Sequence, residues 1–282
     1  MKPPKRLQPL IDEGMVDAVL RQLMSGKEAT VYAVRCGDEV RCAKVYKEVS
    51  QRSFHQAVSY QEGRRVKNSR QARAMGKGTR YGRKMAEEAW QNSEVDALYR
   101  LAAAGVRVPK PFLCFEGVLL MELVTDAAGN AAPRLNDIEL TEAMALDYHA
   151  RLLRQVVLML CAGVIHGDLS EYNILVDANG PVIIDLPQAV DAAGNSSAGR
   201  ILERDVDNLA AFFCHAAPQL AVSQYSKEIW GLYQAGLLKP DTPLTGRIRQ
   251  DLRPADVGAV VQAIRFAEKE EQARRQRMLM NE

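Results

Sequence analysis

Short β-prone runs of apolar and polar positions are concentrated in the first 125 residues, and apolar positions recur at helical spacing in the segments beyond about 140. The early runs VYAVRCG and EVRCAKVYK predict two strands, joined at Gly37-Asp38, a dipeptide suited to a two-residue hairpin turn. VRVPKPFLCFEGVLLMELV supplies two more. Ahead of them, Ile11, Met15, Val19 and Leu20 fall at near-helical spacing and predict a short leading helix to about Arg21. From Glu87 to Ala104, Ala89, Val95, Leu98, Leu101 and Ala102 make an apolar helical stripe that ends at Gly105. Residues 50–85 have little apolar periodicity and read as a mobile insertion, and the polar stretch 126–137 reads as a linker.

A long helix is predicted from Thr141 to Ala162, closing at Gly163. A polar loop follows, then the strand Ile174–Val176, a turn at Ala178-Asn179-Gly180-Pro181, and an apolar strand that ends in Asp185. Residues 191–199 are rich in Ala, Gly and Ser, and a helix is expected from about Glu203 with VDNLAAFF as its core. Residues 218–265 look mostly helical, and AEKEEQARRQRMLM reads as a charged helix or a frayed tail. Strands before residue 125 and helices after 140 make an α+β order: a small β-rich lobe, then a helical lobe. The predicted division is an extension (1–24), the β-rich lobe (25–125) carrying the insertion, and the helical lobe (126–282).

With 282 residues the chain can bury a large core, and its 26% charged residues are ordinary for a globular protein. No apolar run is long enough to span a bilayer, and MKPPKRLQPL has no signal-peptide core. Cys36, Cys42, Cys114, Cys161 and Cys214 are scattered without a C-x-x-C pair, which predicts free thiols in a reducing cytoplasm. Charge is uneven. Residues 52–84 hold ten Lys or Arg against Glu62 alone, in a chain whose net charge is only +2.

HGDLSEYNIL, from His166 to Leu175, matches the pattern H-x-D-L-x-x-x-N at each specified position. Phosphoryl transfer needs a carboxylate at the attacking hydroxyl, here Asp168, and oxygen ligands for Mg²⁺ on the phosphates, here Asn173 and Asp185. It also needs a strand lysine on the α- and β-phosphates of ATP, paired with a helix glutamate. Lys44 in CAKVYK fits the first, since Lys47 falls on the opposite face of the strand. Glu94 fits the second, lying beside the apolar stripe, whereas Glu87 and Glu88 occupy a first turn that favours acids anyway. Ser25, Gly26 and Lys27 in MSGKEATVY offer a hydroxyl, amides and an ammonium to phosphates, although neither a Walker A loop nor G-x-G-x-x-G is present. Asp185 is followed by LPQAV rather than Phe-Gly. In RDVDNLAAFF, Asp207 is placed to accept amides of the catalytic loop and brace it.

Taken together, SGKEATVY, AKVYK, WQNSEV, VLLMELV, HGDLSEYNIL, IIDLPQAV and RDVDNLAAFF resemble a RIO-type atypical protein kinase, a bacterial member of its first subfamily more than its second. About 24 residues precede Ser25, too few for the winged-helix domain of the second subfamily. The resemblance implies a trimmed two-lobed kinase fold without the usual activation segment. It places Met121, Glu122 and Val124 in the linker facing adenine, and the family's flexible loop on the basic insertion. ATP with Mg²⁺ (Mn²⁺ as a substitute) is the implied cofactor pair.

Three functions compete on the residues alone. One is a Ser/Thr protein kinase with an unidentified protein substrate and autophosphorylation, for which Ser53, Ser59, Ser69 and Thr79 are candidate self-targets. A second is a small-molecule phosphotransferase of the aminoglycoside or choline kinase type, which shares HGDLxxxN. The third is an ATP-switched ribosome-assembly factor contacting RNA through residues 52–84; an aspartyl-phosphate on Asp185 is what the family resemblance implies for it.

Overall fold

Alternation along the third strand decides how the small lobe is built. The computed structural model describes residues 3–47 and 93–247. Its sheet has five antiparallel strands in the order β1-β2-β3-β5-β4. They are β1 (Ala18–Ser25), β2 (Ala29–Cys36), β3 (Glu39–Tyr46), β4 (Pro111–Phe115) and β5 (Val118–Glu122). On the central β3, Ala43 and Val45 face one side, where Leu7, Leu10, Val16, Val34 and Leu120 cover them. Lys44 and Tyr46 face the other, toward a helix at 93–103 that buries Val95, Leu98 and Leu101. Period-two alternation thus puts a lysine on the inner face of an otherwise apolar strand. Cys36 pairs directly with Glu39, so Gly37-Asp38 is the two-residue turn expected.

The predicted leading helix is shorter than its apolar spacing suggested. Helix α1 is only Gln8–Asp12. Gly14 ends it at φ +70°, where the Met15 amide reaches back to Leu10 O (2.8 Å) and the Gly14 amide to Ile11 O (3.0 Å). Val19 and Leu20 then belong to β1, where pairing with β2 overrides the helical spacing.

Helix 93–103 is α2, and it occupies the described part of the predicted 87–104 segment. Helix α3 (Glu142–Cys161) is capped by the Thr141 hydroxyl on the Met144 amide (3.2 Å), within a residue of expectation at each end. It buries Leu152, Leu153, Val156, Val157 and Leu160 in a core that continues up to Tyr46, Val95 and Leu98. The supposed linker is an ordered turn: Asp126 accepts the Ala128 and Asn130 amides at 2.9 and 2.8 Å.

Strands β6 (Val164–Ile165) and β9 (Val190–Asp191) pair, as do β7 (Ile174–Asp177) and β8 (Gly180–Ile183). The hairpin turn is tighter than predicted, because Asp177 already pairs with Gly180. Asp185 lies two residues beyond β8. Helix α4 spans Ala198–Phe213, starting five residues before the predicted Glu203, and α5 spans Tyr225–Gln234. Residues 235–247 are not helical, against the mostly helical expectation for 218–265. The basic insertion 50–85, its candidate Ser and Thr targets and the charged tail lie outside the described residues.

Candidate active site

Lys44 projects from β3 into a cluster of carboxylates. Its Nζ donates to Glu94 Oε1 on α2 at 2.5 Å and to Asp185 Oδ1 at 2.7 Å. The Tyr46 hydroxyl, two residues along the same face, donates to Glu94 Oε2 at 2.8 Å. Glu94 is 4% exposed and Tyr46 fully buried. Burial alone would favour a neutral lysine, but the charges of Glu94 and Asp185 prevail and hold the Lys44 pKa above its ordinary value. Burial, then the Glu94 charge, push the Tyr46 hydroxyl the same way, so it remains a donor. For Asp185, burial would raise the pKa, yet Lys44, His166 and Arg134 keep the carboxyl below its usual value. Its side chain is 44% exposed. Asp185 also adopts φ +66°, a left-handed conformation that costs a non-glycine residue of order 1 kcal/mol or more.

The loop from His166 to Asn173 is held from below. The Asp168 amide donates to His166 Nδ1 (3.3 Å), and His166 Nε2 lies 3.0 Å from Ile184 O. Asn173 Nδ2 donates to the Asp168 carbonyl (2.8 Å) and faces Asp168 Oδ2 (3.4 Å), leaving the Asn173 amide oxygen as an outward acceptor. The Ile184 amide returns to Asn173 O at 3.0 Å, which ties the segment carrying Asp185 to the loop carrying Asp168. Gly167 has φ +85°, and a Cβ there would collide with the Gln188 carbonyl oxygen. The loop therefore packs its backbone directly on the chain after Asp185.

The bracing acid is Asp205, not the expected Asp207. Asp205 is 1% exposed and accepts the Gly167 amide (2.7 Å) and the Leu169 amide (3.3 Å). Burial raises its pKa, against the pull of His166, Gly167 and Arg204. Arg204 donates to Gly167 O and Asn208 to Leu169 O, so one face of α4 holds both sides of the loop backbone. Asp207 is exposed. With α4 starting at Ala198, the buried stripe is Ile201, Leu202, Asp205, Val206, Leu209 and Phe213, and an acid within such a stripe is the signal that identifies the brace.

The remaining predicted residues are arranged around this centre. Ser25, Gly26 and Lys27 form the exposed link between β1 and β2, where the Gly26 amide bonds Ala29 O (2.9 Å). Lys47, set aside on strand alternation, lies just past β3 and donates to Gly26 O (2.6 Å) and Ser25 Oγ (3.2 Å). Met121 and Glu122 end β5, and Val124 is buried against Ala132 and Val182. The Glu122 carboxylate accepts both Arg107 Nη atoms at 2.9 Å, and its backbone amide donates to Lys110 O at 2.8 Å. Asp185 and Asn173 present a carboxylate and an amide oxygen from adjacent, mutually bonded segments. That hard-oxygen pair suits Mg²⁺, which keeps few protein ligands when it bridges phosphates.

The RIO domain family model matches residues 30–226. The RIO-type serine/threonine-protein kinase Rio1 of Haloferax volcanii is 34% identical over 210 residues, 72% of this chain and 66% of that protein. Serine/threonine-protein kinase rio1 of Schizosaccharomyces pombe is 33% identical over 220 residues, covering 75% of this chain and 42% of that one. The chain thus aligns with less than two thirds of each relative's length. Among solved structures, the Rio2 kinase–ADP/Mg²⁺–phosphoaspartate complex from Chaetomium thermophilum superposes with a TM-score of 0.52 at 19% identity, covering 83% of this chain and 73% of that one. The fold is accordingly the two-lobed, kinase-like α+β arrangement, and the chain belongs to the RIO family.

Proposed function

We propose that this chain is an ATP- and Mg²⁺-dependent Ser/Thr protein kinase that passes the γ-phosphate to a protein hydroxyl, its own included. The observation that carries the reading is the buried Lys44, joined to Glu94 on one side and Asp185 on the other. This reading assigns Lys44 to the α- and β-phosphates, oriented by Glu94. Ser25, Gly26 and Lys27 cover the phosphates. Glu122 and Val124 meet adenine through their main chains, and Met121 backs them. Asp168 accepts the proton of the attacking hydroxyl as its oxygen bonds the γ-phosphorus and ADP departs in line. Asn173 and Asp185 hold Mg²⁺, which supplies charge neutralisation on the phosphates when bound. The lobe division at about residue 125 and a reducing, cytoplasmic setting for the five free cysteines belong to the same reading. Among the described residues no helix is long and apolar enough to cross a membrane.

A phosphoaspartate in the Chaetomium relative makes Asp185 a second acceptor to consider. Here its side chain is 44% exposed while one oxygen is paired with Lys44. One experiment separates the two: incubation with γ-³²P-ATP and Mg²⁺ of wild type, Asp168→Ala and Asp185→Asn. Acid-stable label that both variants lack supports the hydroxyl kinase. Label released by hydroxylamine supports the aspartyl-phosphate switch, and ATP consumption without protein label contradicts both. Contact of the basic segment 52–84 with RNA or the ribosome is a separate part of the proposal, read from its charge alone.

A further inference from the structure

A cavity of about 380 Å³ opens at the end of the β7–β8 hairpin farthest from Asn173 and Asp185. Asp177 on its wall is four residues beyond Asn173 along an extended strand, on the order of 13 Å away. Three guanidinium groups line it: Arg107, and Arg151 with Arg154, one turn apart on α3.

The wall is built and held. Arg107 bonds Glu122 and, at 2.7 Å, Asp177 Oδ2, while its backbone amide is fixed by Gln155 Oε1 (2.7 Å). Arg151 bonds Asp147 (2.8 Å) and the Asn179 carbonyl (2.8 Å) across the hairpin turn. Arg154 is exposed and carries no hydrogen bond or ion pair among the described residues. The acid in the lining, Asp177, is spent: its side chain is 7% exposed, one oxygen takes Arg107 and the other the Asn179 amide (2.6 Å). Three guanidinium groups therefore surround the space; Glu122 and Asp177 pair Arg107, Asp147 pairs Arg151, and Arg154 brings the charge that no described carboxylate pairs.

We infer that this cavity is an anion site for a small phosphate-bearing molecule, separate from the nucleotide cleft. Planar guanidinium groups grip phosphate oxygens in pairs, and the volume lies within the usual range for small-molecule sites of about 300–1,000 Å³. Arg107 is shared between the cavity and Glu122 at the end of β5, so an occupant touches the side chain that anchors the segment between the lobes.

The test is calorimetric titration of the full chain with pyrophosphate, in saturating ADP and Mg²⁺ so that the cleft is filled. Wild type should bind once. Arg154→Ala should weaken binding by about threefold or more, and Arg151→Ala/Arg154→Ala by about tenfold or more. Asp168→Ala, which disturbs no buried partner, should leave the pyrophosphate affinity unchanged, which keeps this result independent of the kinase reading. Arg154→Ala is a solvent-facing truncation and serves alone if the double variant does not fold. Absence of saturable binding, equal affinity in Arg154→Ala, or loss of binding in Asp168→Ala would overturn the site. So would binding only to a long RNA, lost between about 50 and 200 mM salt.

Discussion

The Asp205 carboxylate accepts the Gly167 amide at 2.7 Å, so a helix residue nearly forty positions away in sequence sets the backbone of the loop that carries Asp168. Because Asp205 is buried with two amide donors and the Arg204 guanidinium around it, its removal takes away the carboxylate that accepts the Gly167 and Leu169 amides. Asp205→Ala should cost about 2–4 kcal/mol in urea denaturation, whereas Asp207→Ala, on the exposed side of the helix, should stay within about 0.5 kcal/mol.

Gly167→Ala should be comparably severe. The substitution meets both a left-handed φ of +85° and the Gln188 carbonyl, and backbone cannot retreat as a flexible side chain can. A loss of about 3 kcal/mol or failure to fold is expected from thermal melts, with kcat falling more than KM in any folded fraction.

The Lys44–Glu94 pair predicts a specific non-additivity. Lys44→Met leaves Glu94 charged and buried, at a cost of about 3–5 kcal/mol. The double variant Lys44→Met/Glu94→Gln should regain much of that stability while phosphoryl transfer stays lost. A double-mutant cycle on urea midpoints, run beside a transfer assay, measures both.

His149 makes stability fall with acid. It is 2% exposed, its Nε2 has no hydrogen-bond partner among the described residues, and its ring packs against Phe213 and Tyr225. Burial lowers its pKa from 6.5 to about 4. The neutral ring is favoured in the folded state, so this contribution is whole above pH 6.5 and is lost as pH falls toward about 4. The loss amounts to roughly 3 kcal/mol, and His149→Phe should flatten that part of the stability–pH curve.

Much of this site was legible in one dimension because its chemistry is local. The spacing from Asp168 to Asn173 and on to Asp185 is set by one loop and one hairpin, and Lys44 stands out as a cation on an apolar strand face. Glu94 could be chosen because its helix continues with buried Val95 and Leu98. What escaped depends on where elements begin and on contacts distant in sequence. The Ala-, Gly- and Ser-rich stretch before α4 hid the helix start at Ala198, and that moved the bracing role from Asp205 to Asp207. β1 was hidden because Ile11, Met15 and Val19 mimic a helical period that Gly14 interrupts. Tyr46 as second partner of Glu94, and Arg107 bridging Glu122 to Asp177, join residues 48 and 70 positions apart, in one case across three elements, and no local pattern encodes them.

The most direct test of the phosphotransfer account is single-turnover transfer by Asp168→Ala, with nucleotide affinity measured on the same preparation. Asp168 is exposed to the cleft, and its substitution disturbs no buried partner. The account predicts transfer slower by about 100-fold or more with ADP·Mg²⁺ affinity retained. Transfer at near the wild-type rate would contradict it, because another group would then have to take the hydroxyl proton.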